Sequence, residues 1–149
     1  MKIEFINNSS VSIPKKYLQQ SLKIFLKLLV KKRKDIDFKN LELSLVFLDP
    51  LAAKKINKKY RNKNYATDVL SFTSMPPALG ELIMCPQVLK EQAKEQKHSF
   101  RTEVLYMTIH GILHLLGYEH ENDAQKAKEM LSLQEELFTK TLQKLVFLK

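Results

Sequence analysis

A chain of 149 residues with 44% hydrophobic and 28% charged side chains is sized and composed for one folded domain, which excludes disordered and collagen-like classes. The 25 Lys plus Arg against 16 Asp plus Glu leave a net charge of +9, a field that attracts polyanions, and nucleic acid is the commonest of these in a cytoplasm. Lys23, Lys27 and Lys31 interrupt the greasiest stretch and no secretory apolar run follows Met1-Lys2, so no membrane span and a cytoplasmic location are expected, in keeping with a single cysteine, Cys85.

Ile3, Phe5 and Val11 to Ile13 flank the polar Asn7-Asn8-Ser9-Ser10, the pattern of a short strand running into a turn. Pro14 stands where a first helical turn tolerates proline, and Leu18, Leu22, Phe25, Leu26 and Leu29 recur at helical spacing, predicting an amphipathic helix that ends near Lys34-Asp35. Leu41 to Leu48 alternates and then turns continuously apolar, as in a strand buried in a sheet. Asp49-Pro50 offers a helix cap followed by proline at the first helical position; Ala52, Ala53, Ile56 and Tyr60 form that helix's inner face, and Lys54, Lys55, Lys58 and Lys59 its outer one.

Asn62 to Ala66 is a predicted loop, Val69 to Thr73 a strand, and Leu82 to Cys85 a second short strand beyond Pro76-Pro77 and Gly80. Pro86 opens a helix to about Lys97, Ser99 caps the next from Phe100 to Leu116, and Gly117 stops it. A long amphipathic helix follows Asn122-Asp123. Strands interleaved with helices and then helices alone predict a single α/β domain in which a small mixed β-sheet is covered by helices.

Of the four histidines, three lie within eleven residues, His110-Gly-Ile-Leu-His114-Leu-Leu-Gly-Tyr-Glu-His120. Residues four apart share a helical face with Cβ atoms about 5 to 6 Å apart, so His110 and His114 can hold one ion together. A continuing helix would rotate His120 by roughly 240° onto another face, whereas a glycine at position 117 accepts the left-handed conformation that folds the chain back. The expectation is a Zn2+ tripod, one ion per chain, with the open fourth position of a catalytic site. The spacing HxxxHxxGxxH also resembles the zinc proteases, but these carry Glu after the first His as general base, where this chain has Gly111. Three neutral imidazoles leave the ion's charge uncancelled, which favours an anionic substrate such as phosphate. Gly111 costs about 1 kcal/mol of helix propensity relative to Ala, a cost expected where another group approaches closely.

HGILHLLGYEH closely resembles the motif of the YbeY family of bacterial ribosomal RNA maturation factors and single-strand-specific endoribonucleases, HGxLHLxGYDH, departing in Glu119 for Asp. Tyr60-Arg61, Thr67-Asp68-Val69-Leu70-Ser71-Phe72 and Leu79-Gly80-Glu81-Leu82-Ile83 resemble the family's YR, TDVLSF and LGDI segments, the last again with Glu for Asp. The resemblance implies an α/β fold, zinc at His110, His114 and His120, and RNA cleavage in small-subunit ribosomal RNA maturation and ribosome quality control. It implies as partners ribosomal RNA in the small subunit, a small-subunit ribosomal protein and an assembly GTPase.

Arg61 ends a Lys-rich helix, where its planar fork can clamp a phosphate bidentately or be one more solvated cation. Lys54, Lys55 and Lys58 are candidates to track an RNA backbone beside it, or ordinary solvated residues. Asp68 is either a carboxylate that orients a metal-bound His or, on the simpler view, a residue of the turn into a strand. His98 is expected at the surface, Cys85 as a small buried hydrophobe, and Glu81 and Glu119 without a catalytic role. The leading expectation is a zinc-dependent endoribonuclease covering residues 1–149. The alternatives are a non-catalytic ribosome assembly factor with a structural zinc and a basic RNA-binding face, and a zinc peptidase.

Overall fold

The computed structural model of the chain describes residues 1–118 and 122–148. Four strands form one sheet, β1 (Lys2–Asn8), β2 (Glu42–Leu48), β3 (Val69–Thr73) and β4 (Ala78–Met84), in the order β1-β2-β4-β3. β1 pairs with β2 and β2 with β4 in parallel, while β3 runs antiparallel to β4 as the far edge, so the sheet is mixed. Among the described residues five α-helices accompany it, α1 (Lys15–Lys32), α2 (Pro50–Arg61), α3 (Pro86–Glu95), α4 (Phe100–Leu115) and α5 (Ala124–Val146), with a 3-10 turn at Phe38–Asn40.

The strand register sorts side chains by face. Leu43, Leu45 and Phe47 of β2 stand opposite Gly80, Leu82 and Met84 of β4, and the long apolar residues among them are buried in the core shared with Leu18, Leu22, Phe25 and Leu29 of α1. α4 lies at the centre of that core. Val104, Leu105, Ile109, Ile112 and Leu113 are all fully buried, each contributing about 1.5 to 3 kcal/mol on removal from water. A helix apolar on most of its circumference needs neighbours on every side, and α1, α3, α5, β3 and β4 supply them. On the opposite face of the sheet, Tyr60 of α2 meets Phe72 of β3 edge-on at 5.2 Å. Among the described residues no helix is long and apolar enough to cross a membrane.

Several local expectations are revised. α1 ends at Lys32, with Pro14 at its N-cap rather than inside its first turn. β4 begins at Ala78, four residues before the predicted start, because Gly80 pairs with Thr73 despite its low strand propensity. Asp49 occupies the N-cap of α2 without capping it through its side chain. Its Oδ1 instead accepts from the Ser10 N–H (2.9 Å), Ser10 Oγ (3.0 Å) and Gln87 Nε2 (2.7 Å), linking the β1–α1 connection to α3. The Ser10 N–H, with Gln87 second, holds the Asp49 carboxyl below its ordinary range. The inner face of α2 is centred on Ala53 and Asn57, whereas Tyr60 is 60% exposed. Ser99 caps α4 as expected, its Oγ accepting from the Thr102 N–H at 3.2 Å.

Gly111 is where α4 comes closest to the sheet. A Cβ there would lie 2.6 and 2.8 Å from the two Cδ atoms of Leu82, itself fully buried. Gly111→Ala is therefore expected to destabilise the protein by about 1 kcal/mol net, overpacking of about 1 to 3 kcal/mol outweighing the gain in helix propensity. Denaturant midpoints check this, and Leu82→Ala in the same chain should relieve part of the loss, so the double variant falls short of additivity.

Candidate active site

His110 and His114 lie on the last turns of α4, facing a cavity of about 450 Å³. Their rings meet nearly at right angles, 80° between planes, with Nε2 atoms 3.0 Å apart. Two nitrogens that share a tetrahedral ion at bond lengths of 2.0 to 2.1 Å stand about 3.3 Å apart, so the pair fits a common ion with small adjustment. His110 is oriented from behind: its Nδ1–H donates to Oε1 of Gln134 at 2.8 Å, which places the proton on Nδ1 and the lone pair on Nε2, the tautomer a metal ligand needs. Gln134 comes from α5 and is only 3% exposed.

Gly117 does what its position in the sequence suggests. It takes φ +98 with open space where a Cβ would stand, so the requirement is conformational. The Gly117 and Tyr118 N–H groups return to the carbonyls of His114 (3.0 Å) and Leu113 (3.1 Å) and close the helix. The Arg33 guanidinium, 5.3 Å from the centre of the Tyr118 ring and bonded to Asp35 through Nε (2.9 Å) and a terminal nitrogen (2.8 Å), then ties this turn to the end of α1. The third expected ligand, His120, and its neighbour Glu119 lie outside the described residues. Among the described residues no group of three His, Cys, Asp or Glu side chains is placed to hold a metal.

Arg61 lines the same cavity as both histidines, together with Thr67, Asp68 and the β3 residues Val69, Ser71 and Thr73. Two features hold it there. Asn62, left-handed at φ 57, ends α2 immediately after Arg61 with its N–H on the Lys58 carbonyl. The buried Asn57 then donates through Nδ2 to the Tyr65 carbonyl at 2.8 Å and fixes the returning loop. By helical geometry Lys54, Lys58 and Arg61 fall within an arc of about 60°, a cationic stripe about 10 Å long that runs into the cavity, while Lys55 is rotated about 100° from Lys54.

Asp68 is a residue of the turn into β3. Its Oδ1 accepts from the Val69 N–H (2.7 Å) and Thr67 Oγ1 (3.2 Å), and Oδ2 from Gln92 Nε2 (3.1 Å), which shapes the entry to β3. A neighbouring cavity of about 460 Å³ shares Asp68 and Met107 but is lined by Glu95, Glu103 and Glu135. His98 is not merely superficial: its Nε2 pairs with the buried carboxylate of Glu103 at 2.9 Å. Burial, with Glu135 as acceptor, pushes the Tyr106 hydroxyl up to about 12, so it remains a protonated donor to that carboxylate. Glu81 is exposed on β4, on the face away from α4, and Cys85 is a buried hydrophobe as expected.

A protein-family model described as Endoribonuclease YbeY matches residues 3–142. The chain belongs to the YbeY family. A Bdellovibrio bacteriovorus protein named Endoribonuclease YbeY is 45% identical over 148 residues, covering 97% of each chain. One of the same name from Renibacterium salmoninarum is 39% identical over 155 residues, 95% of this chain and 94% of its own. The solution structure of TM1509 from Thermotoga maritima superposes with a TM-score of 0.66 at 28% identity, covering 95% of this chain and 90% of that one.

In this YbeY-family chain the residues that sequence reading missed are Gln134, Arg33 and the hydroxyl pair Ser71 and Thr73. Each is polar at a position where an exposed polar residue is unremarkable, so only the fold reveals its place. Gln134→Leu is expected to keep the fold of α5 yet weaken metal binding by about 10 to 100-fold, because the His110 ring loses its acceptor. Competition with a chelator of known affinity measures the change.

Proposed function

We propose that the chain, residues 1–149 acting as one metal-dependent RNA-processing domain, is a zinc-dependent, single-strand-specific endoribonuclease in small-subunit ribosomal RNA maturation and ribosome quality control. The observation that carries the reading is the convergence of the two imidazole Nε2 atoms, 3.0 Å apart, on the wall of a cavity that also holds Arg61, in a chain of the YbeY family. His110, His114 and His120 hold the ion in this reading, one per chain. Bound Zn2+ supplies Lewis acidity toward a phosphoryl oxygen or water. Arg61 grips the scissile phosphate through its planar fork and stabilises charge that develops on it. Ser71 and Thr73 offer hydroxyls to the sugar and its 2'-OH, the group by which RNA is told from DNA. Gln134 keeps the His110 ring in its binding tautomer.

The substrate in this proposal is ribosomal RNA within the small subunit, with a small-subunit ribosomal protein and an assembly GTPase as partners and the cytoplasm as the place of action. Peptide hydrolysis is disfavoured by Gly111, since a glutamate there would have to start from a Cβ pressed into Leu82. Metal-replete protein incubated with single-stranded RNA and, separately, with a peptide library tests the proposal against its alternatives. RNA cleavage that disappears in His114→Ala supports it; tight RNA binding without cleavage indicates an assembly factor, and peptide cleavage a peptidase.

The stripe on α2 adds a quantitative expectation. Three phosphate contacts, by Lys54, Lys58 and Arg61, give a log-log salt dependence of single-strand affinity with a slope of about 2, and Lys58→Ala lowers it by about 0.7. Lys55→Ala should leave the slope nearly unchanged. Affinities across a salt series read all three values, and a flat dependence removes the lysines from the site.

A further inference from the structure

The outer flank of α1 carries a trough that the proposed chemistry leaves unused. Leu22, Lys23, Leu26, Lys27 and Val30 line one side at helical spacing, and Phe5 of β1 and Phe38 close the other around a cavity of about 650 Å³. From Gln19 to Val30 the trough runs about 16 Å, three helical turns. Its floor is apolar, with Val30 left 43% exposed. Its rim is cationic: Lys23, Lys27 and Lys39 stand against a single acid, Asp37. Lys27 and Val30 also line a second cavity of about 560 Å³ between α1 and the end of α5, which adds Lys31 and Lys144 and no acid. None of these five lysines has an ion-pair partner among the described residues.

We propose that this trough seats an amphipathic helix with acidic flanks, supplied by a partner protein. The apolar stripe of Leu22, Leu26 and Val30, about 12 Å or just over two turns long, is the complement of a helix that presents anchors at i, i+4 and i+7, and the five lysines complement Glu or Asp on either side of those anchors. An RNA backbone would match the lysines but leave the apolar floor uncovered, and a bilayer surface would not enter a concave trough. The trough borders β1, the edge of the sheet opposite β3, so a partner seated here leaves the cavity beside His110 and His114 open.

The test uses a fluorescent 18-residue helical peptide with Leu at i, i+4, i+7 and i+11 and Glu at the flanking positions, beside a counterpart with Lys for every Glu. The acidic peptide is expected to bind the full-length protein at least tenfold more tightly than its counterpart and to shift backbone amide resonances of α1 and β1. Val30→Asp and the Lys23→Glu, Lys27→Glu pair should each weaken it at least tenfold with an unchanged melting temperature. Four results would overturn the proposal: no binding, equal binding of the two peptides, binding that survives both variants, or displacement of the peptide by single-stranded RNA or phosphatidylserine vesicles at their own saturating concentrations.

Discussion

His114→Ala is expected to reduce bound zinc to background and RNA cleavage by about a thousandfold or more, near 4 kcal/mol of transition-state stabilisation. The side chain faces the cavity and its Nε2 meets that of His110, so its loss removes half of the convergent pair while the apolar face of α4 remains packed. His110→Ala is a less clean probe. It strands the Oε1 of Gln134, a residue only 3% exposed, and an unsatisfied buried acceptor costs about 1 to 3 kcal/mol of stability by itself. Elemental analysis of protein purified without a histidine tag, together with cleavage assays at matched concentration, reads the His114 variant. Full zinc content would remove His114 from the ligand set, and full cleavage with zinc lost would remove the ion from the chemistry.

Arg61→Ala should lower RNA cleavage by about 10² to 10³, the loss of one preorganised electrostatic donor at a reacting centre being worth about 2.7 to 4 kcal/mol. Zinc content and stability should barely move. Arg61 is exposed at the last position of α2, whose packing rests on Ala53 and Asn57, and substitutions at such positions usually change stability by no more than about 0.5 kcal/mol. Arg61→Lys separates charge from shape, because it keeps the cation and loses the bidentate fork. A clamp requires Lys to fall well short of wild type. Equal activity of Arg61→Lys and wild type would reduce the role to a point charge, and an activity loss matched by lost zinc or a lower melting temperature would make Arg61 structural.

Apolar periodicity located β2 and α1 because the core is built from them: Leu43, Leu45 and Phe47 alternate, and Leu18, Leu22, Phe25 and Leu29 recur at helical spacing, whereas α3 and α4 were placed by Pro86, the Ser99 cap and the Gly117 stop, and the 3-10 turn Phe38–Asn40 carried no such signal. Errors fell where a polar side chain does structural work. Asn57 is buried and Tyr60 exposed, the reverse of what hydrophobicity suggests, since the Asn57 amide satisfies a loop carbonyl that no apolar residue could. Asp49 leaves its own helix uncapped because Ser10 and Gln87 bring three donors from elsewhere in the chain. In the site, the helical spacing of His110 and His114 and the stop at Gly117 were legible because they depend on local backbone geometry. Gln134 was not, because its distance from His110 is set by the docking of α5 on α4, which no local pattern encodes. The close approach expected at Gly111 is made by Leu82 of the sheet, so that glycine serves architecture.

The hydrogen bond from His110 to Gln134 also makes the order of synthesis matter. Arg61, Asp68, His110 and His114 are all translated before the segment that carries Gln134, at about 5 to 20 residues per second. A nascent or truncated chain that ends before α5 holds the histidines without the amide that accepts from His110 Nδ1, and without the helix packed against α4. On the proposed reading, a fragment released early carries the basic surface of α2 but a His110 ring without the Gln134 acceptor, and is expected to bind the ion more weakly than a chain that includes α5. Under the proposed function, this coupling favours cutting by molecules that have acquired α5 over fragments that lack it.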